Sequence, residues 1–163
     1  LDIPCGTGKL GATLENYPIN VVAGDVSESM LSLAKVEYSS SRTKFQIIDA
    51  TQIPYDDIFF DIIVCLRLFQ RLPNDTRIKM LSEFHRAGKK YLIISYSFTS
   101  FWQKNRYRIK KMINNNSPKF FSEKRSDIVI ELNNSGFDVL DMKFVIKYLS
   151  SEIIILAKKK GKN

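Results

Sequence analysis

Leu1-Asp2-Ile3-Pro4-Cys5-Gly6-Thr7-Gly8-Lys9-Leu10-Gly11 opens the chain and has the form of a strand running into a glycine-rich turn. Gly6 and Gly8 lack a β-carbon, so the backbone there can turn sharply and a ligand can come close to it. The reading predicts a helix beginning near Lys9. Such a helix would point its free N–H groups and positive dipole end at that ligand. A tight strand-to-helix turn that binds nothing would use the same two glycines.

Outward from this turn, short apolar runs alternate with helical patterns, as in a sheet covered by helices on both faces. Residues 19–24, 45–48, 61–66 and 91–96 are continuous or nearly continuous apolar runs. Strands buried on both faces read this way, which favours a parallel sheet. Ser27 is placed to cap a helix presenting Met30, Leu31 and Ala34. After Pro73, Asn74 is expected to cap a second helix, with Ile78, Leu81 and Phe84 along one face. A third helix is expected over residues 122–134, stopping at Gly136. Residues 137–148 and 152–158 then read as two strands joined by only a few residues around 149–151. So short a connection makes a hairpin, and the sheet should end antiparallel. No repeat, low-complexity stretch or linker divides the chain, so residues 1–163 are expected to form a single domain.

With 163 residues the chain is long enough for one sizeable core. A hydrophobic fraction of 44% with 26% charged residues excludes a disordered or fibrous protein. No apolar run approaches the ~20 residues of a membrane helix. No secretory signal is visible, and two cysteines are too few for a disulfide framework. These features predict a cytoplasmic protein. The first residue is Leu1, already inside an apparent core strand, so the protein is expected to continue upstream. The net charge of +8 favours anionic partners without identifying one. One basic cluster comprises Lys104, Arg106, Arg108, Lys110 and Lys111. Another, Lys158, Lys159, Lys160 and Lys162, reads as a solvated tail.

Three acids accompany the turn: Asp2 before it, Asp25 at the end of the second strand and Asp49 after the third. A carboxylate in the position of Asp25 can accept hydrogen bonds from both hydroxyls of a ribose. Gly6, Gly8 and Gly11 also match the dinucleotide fingerprint G-x-G-x-x-G, so a nicotinamide-dependent oxidoreductase is one reading. Asp2 and Asp49 are not called for by such a site. A phosphate-binding P-loop is excluded, because no Gly-Lys-Ser/Thr run is present.

Four blocks, 1–8, 23–31, 48–55 and 60–64, in this order resemble the class I S-adenosylmethionine-dependent methyltransferases. The resemblance continues to Asn134-Ser135-Gly136-Phe137 and the terminal hairpin. It implies an α/β, Rossmann-like three-layer sandwich with a mostly parallel seven-stranded sheet, in the order 3-2-1-4-5-7-6, ending in an antiparallel hairpin. It implies S-adenosyl-L-methionine as cofactor. Asp2, Gly6 and Gly8 would match the motif that contacts its methionine part. Asp25 would take the ribose hydroxyls, and Met30 would pack on the adenine face. Asp49 would face the adenine amino group, with the backbone N–H of Ala50 on a ring nitrogen. Pro4, Cys5, Thr7, Val26 and Leu66 complete the implied cofactor-binding set. Pro4 departs from the family, which usually has a glycine there; a strand-end residue tolerates its fixed φ and missing N–H.

Methyl transfer from a sulfonium needs an in-line nucleophile and an oriented cofactor, and positioning carries much of the rate. No catalytic side chain and no metal ligand set is assigned from the sequence. The only histidine, His85, reads as a helix-surface residue, and Cys5 and Cys65 as small core residues on neighbouring strands. The acceptor should lie beyond the carboxyl ends of the fourth and fifth strands. That places Arg67, Phe69, Gln70 and Arg71 after one strand and residues 96–102 after the other. Gln70 stands where many family members carry histidine. The Asp/Asn-Pro-Pro-aromatic signature of amino-group methylases is missing. Residues 98–121 mix Phe101, Trp102 and Tyr107 with five basic residues, as either a substrate-covering insertion or a surface helix. The expected partner is a small-molecule or lipid-linked methyl acceptor. Nucleic acid is a weaker reading, since no RNA- or DNA-binding module accompanies the patch. The main alternative is a cofactor-binding module of the same fold that has lost catalysis.

Overall fold

The computed structural model describes residues 1–97, 123–145 and 152–161. In chain order these form α1 (Gly11–Leu14), β1 (Val21–Asp25), α2 (Glu28–Glu37), β2 (Thr43–Ile47) and β3 (Phe60–Cys65). A single 3-10 turn (Phe69–Arg71) follows, then α3 (Asn74–Ala87), β4 (Gly88–Ser97), α4 (Arg125–Asn134), β5 (Phe137–Phe144) and β6 (Glu152–Lys159). The expected insertion at 98–121, the hairpin connection at 149–151 and residues 146–148 of the expected strand lie outside the described residues.

β1 pairs with β2 and β3 with β4, both in parallel, whereas β6 runs antiparallel to both β4 and β5. Asp2 joins the two ladders by bridging Ala23 on one side and Val64 on the other, again in parallel. The result is an α/β fold with a mixed sheet. The described residues form six strands rather than seven. Where the first strand was expected, Asp2 alone forms bridges, while the N–H groups of Ile3 and Cys5 still donate to Val64 O and Gly24 O.

Side chains alternate across β1. Val21 and Ala23 pack with Leu31, Ala34 and Tyr38 on the α2 side, while Val22 packs against the larger cluster on the opposite face. That cluster includes Ile63 of β3, Met80, Leu81 and Phe84 of α3, Ile94 of β4 and Ile128 and Leu132 of α4. Two helical layers therefore enclose the sheet. No helix among the described residues is long and apolar enough to cross a membrane.

Several local expectations need correction. The first helix starts at Gly11 rather than near Lys9 and lasts one turn, so no long helix dipole points at the glycine turn. In α3 the cap is Pro73, and Asn74 is already helical. Its buried face is Arg77, Met80, Leu81, Phe84 and Ala87, while Ile78 is exposed. The salt bridges of Arg77 draw that side inward in place of the apolar Ile78. Ser27 does cap α2, its Oγ accepting from the Met30 N–H at 3.4 Å. Gly136 follows α4 at φ +86, where a β-carbon would meet the His85 ring at 2.6 Å.

Candidate active site

Backbone hydrogen bonds lock the carboxyl ends of the central strands to one another. The Cys5 N–H donates to Gly24 O at 2.8 Å, the Ile48 N–H to Asp25 O at 3.1 Å and the Ile3 N–H to Val64 O at 2.9 Å. The turns after these strands, which carry the glycines, Asp25 and Asp49, therefore open at one edge of the sheet. Open α/β sheets bind ligands at such an edge.

The two turn glycines have different work. Both adopt positive φ, +53 at Gly6 and +79 at Gly8. A β-carbon on Gly6 would meet nothing within 4 Å, so the backbone there faces open space. One on Gly8 would stand 2.8 Å from Ala34 Cα, and one on Gly11 2.7 Å from Glu37 O. Gly8 and Gly11 thus let the turn and α1 lie flat on α2, leaving Gly6 as the point of approach for a ligand.

Asp25 is 6% exposed and clasps this turn. Its Oδ2 accepts from the Gly6 N–H at 2.9 Å and its Oδ1 from the Ser27 N–H at 3.0 Å. Each carboxylate oxygen retains a second lone pair for a hydroxyl donor. Beside it, Val26 and Met30 leave apolar surface 66% and 39% exposed.

Asp2 lies away from open space. It is buried, and its Oδ2 accepts a 2.6 Å hydrogen bond from the hydroxyl of Tyr38, just after α2. Burial pushes its pKa up to about 6, with the Tyr38 hydrogen bond opposing the shift. The resemblance implies a contact of Asp2 with a methionine moiety; in the structure its Oδ2 is engaged by Tyr38. Tyr38 carried no local sequence signal for this role.

Asp49 is exposed, and its Oδ1 accepts from both the N–H and the hydroxyl of Thr51 at 2.8 Å. Ala50 beside it is buried. The following loop is pinned to α3. Arg86 donates to the carbonyls of Ile53 and Tyr55 at 2.8 and 2.7 Å, and Glu83 accepts from the Ile53 N–H at 2.8 Å. Leu66, Pro4 and Thr7 are half-buried around the same edge.

On the acceptor side, Arg67 follows β3 at φ +62. Its N–H donates to Ser95 Oγ at 2.7 Å, and Ser95, fully buried in β4, donates to Glu152 Oε1 at 2.9 Å. Phe69 is buried against Tyr96, ring centroids 5.1 Å apart. Gln70 is 7% exposed, and its Oε1 has no hydrogen-bond partner. Behind this edge, buried Arg77 pairs with Glu123 and Glu131, each at 2.9 Å. The Glu123 N–H donates to Ser97 O at 3.0 Å, tying the approach to α4 to the end of β4. Sequence reasoning passed over Ser95, Glu152 and Arg77, since isolated polar residues within apolar runs announce no partner.

Both cysteines are free thiols and buried. Burial pushes the Cys5 thiol up to about 12 and Cys65 higher still, so both stay protonated. His85 stacks edge-on against Phe137 at 5.6 Å, at the opposite end of the sheet from the glycine turn.

Comparison with known proteins places residues 1–90 in a family described as "Methyltransferase domain". The ubiquinone biosynthesis O-methyltransferase of Coxiella burnetii is 32% identical over 80 residues, 48% of this chain and 34% of that protein. The demethylmenaquinone methyltransferase of Clavibacter sepedonicus is 39% identical over 64 residues, 39% of this chain and 26% of that one. The matches thus span about a third or less of the length of these curated relatives. Among solved structures, magnesium protoporphyrin IX methyltransferase from Synechocystis PCC 6803 with bound SAH superimposes with a TM-score of 0.83. Its sequence is 20% identical, and the alignment covers 98% of this chain and 73% of that one. At that identity the likeness speaks for the fold.

Proposed function

The chain belongs to the methyltransferase-domain family, and from that premise we propose that it binds S-adenosyl-L-methionine and methylates a small-molecule or lipid-linked acceptor. The observation that carries the reading is the pairing of Gly6 with Asp25. The Gly6 backbone faces open space while its N–H is held by a carboxylate that keeps lone pairs for hydroxyl donors. The donor set fits a nucleoside with an amino-acid arm. Asp25 would accept from the ribose hydroxyls, Val26 and Met30 would cover an apolar ring, and Asp49 with Ala50 would meet its polar edge. Pro4, Cys5, Gly6, Thr7 and Gly8 would line the passage of the arm, and Leu66 would close it from β3. Asp2 would act through Tyr38 to hold the turn.

When bound, S-adenosyl-L-methionine supplies an electrophilic methyl group on a positively charged sulfur. The residues of this chain then have to orient, desolvate and align. The names of the quinone-biosynthesis relatives support a small-molecule acceptor related to quinones. An oxidoreductase would need a nicotinamide site, and its only support is the spacing of Gly6, Gly8 and Gly11. Two of those glycines are occupied in packing against α2.

Calorimetric titration with S-adenosylhomocysteine, beside an NAD control, tests the reading. Saturable binding to the parent, absent with NAD, is expected to weaken at least tenfold in Asp25→Ala. It should weaken also in Met30→Glu, an exposed position whose change leaves the core intact. Silence with S-adenosylhomocysteine, or binding indifferent to both substitutions, would overturn it.

A further inference from the structure

Arg67 is the second residue after β3, at the edge where an acceptor would enter, and it sits in the left-handed region at φ +62. A side chain there crowds the backbone, so glycine or asparagine is the undemanding choice and an arginine is held at a cost. The structure shows what holds it. Ser95, fully buried, accepts from the Arg67 N–H at 2.7 Å and donates its own hydroxyl hydrogen bond to Glu152 Oε1 at 2.9 Å. Three neighbouring elements, the end of β3, β4 and the start of β6, are thereby spent on fixing one backbone N–H.

The guanidinium itself is exposed and makes no salt bridge or hydrogen bond among the described residues. Two other arginines of this half of the chain are committed, Arg77 to Glu123 and Glu131, and Arg86 to Glu83 and Asp57. Glu152 is the one carboxylate in the relay, and its Oε1 is turned to Ser95. An arginine kept in a costly conformation, with its backbone anchored and its planar donor fork unengaged by the described residues, suits recognition of a carboxylate or phosphate.

We propose that Arg67, positioned by the Ser95–Glu152 relay, is a specificity residue that selects methyl acceptors carrying an anionic group. The proposal rests on the methyltransferase reading and names a property of its acceptor.

The test uses the protein loaded with S-adenosylhomocysteine, titrated with benzoate, phenyl phosphate and phenol, so that the two anion classes are separated from the bare ring. Saturable binding of benzoate or phenyl phosphate, with phenol at least tenfold weaker, is expected for the parent. Arg67→Gly should cost the anion at least tenfold in affinity, leave S-adenosylhomocysteine binding within twofold and keep or raise the melting temperature. Arg67→Lys should recover part of the loss, and Ser95→Ala should weaken anion binding through Arg67 while phenol is unaffected. Absence of anion binding to the loaded protein, or equal binding by parent and Arg67→Gly, overturns the proposal. Loss of S-adenosylhomocysteine binding by the parent would instead overturn the reading beneath it.

Discussion

The Tyr38 hydroxyl donates a 2.6 Å hydrogen bond to Asp2 Oδ2, so the end of α2 is fastened to the residue that bridges the two ladders of the sheet. Both partners are buried, at 3% and 2% exposure. The bond sets α2 where Gly8 and Gly11 can lie against it, and so fixes the floor under the ligand's point of approach.

Tyr38→Phe leaves a buried carboxylate without its donor. A loss of about 1–3 kcal/mol is expected, with a fall in melting temperature of roughly 2–10 °C. Thermal unfolding at neutral pH checks it; an unchanged melting temperature would show that the bond is not a fastening.

Asp2 also gives stability a pH dependence of definite sign. Its folded pKa of about 6 lies above the ordinary carboxylate value, because burial disfavours the charge. Between roughly pH 4 and 6 the folded state holds the proton that the unfolded state has lost. Stability therefore falls as pH rises through that window and levels off above it. Asp2→Asn cannot titrate, so its stability relative to the parent should rise across the window by on the order of 1–3 kcal/mol. Urea unfolding at pH 4.5, 5.5 and 7 measures this, and a constant difference between the two proteins would contradict it.

Gly6 and Gly8 should separate binding from folding. Gly6→Ala adds a methyl to open space at positive φ, costing about 1–2 kcal/mol in stability and at least tenfold in S-adenosylhomocysteine affinity. Gly8→Ala drives its methyl to 2.8 Å from Ala34 Cα, so about 1–3 kcal/mol of overpacking adds to the same strain. Melting curves and calorimetry on both variants should rank them in opposite orders. The same order in both measurements would refute the division of labour.

Arg77 is 5% exposed between Glu123 and Glu131. Burial raises the pKa of Glu131 while Arg77 opposes the rise. Arg77→Ala should cost about 1–3 kcal/mol by leaving two half-buried carboxylates without their hydrogen-bonded partner. Adding Glu131→Gln should restore part of that, since one stranded charge goes with it. Denaturant unfolding of single and double variants decides; a double variant no more stable than the single would remove the charge-pair explanation.

Much of the architecture was legible in the residues themselves. The apolar runs containing Val21–Ala23, Ile62–Cys65 and Leu92–Ile94 announced buried parallel strands, Ser27 and Gly136 marked helix limits, and the closing pair was expected to be antiparallel. These signals are local: each follows from burial periodicity or from the conformational freedom of one residue. The glycine turn and Asp25 could be singled out for the same reason. What each contacts could not. Asp25 meets Gly6 across 19 positions, Tyr38 meets Asp2 across 36 and Arg77 meets Glu131 across 54. Only the folded chain brings such pairs within hydrogen-bond distance. Tertiary structure therefore decided that Asp2 serves α2, that Gly8 packs while Gly6 stays open, and that Arg67 is anchored by Ser95. Periodicity records which side of an element is buried; the partner of a buried polar group depends on which distant element arrives there.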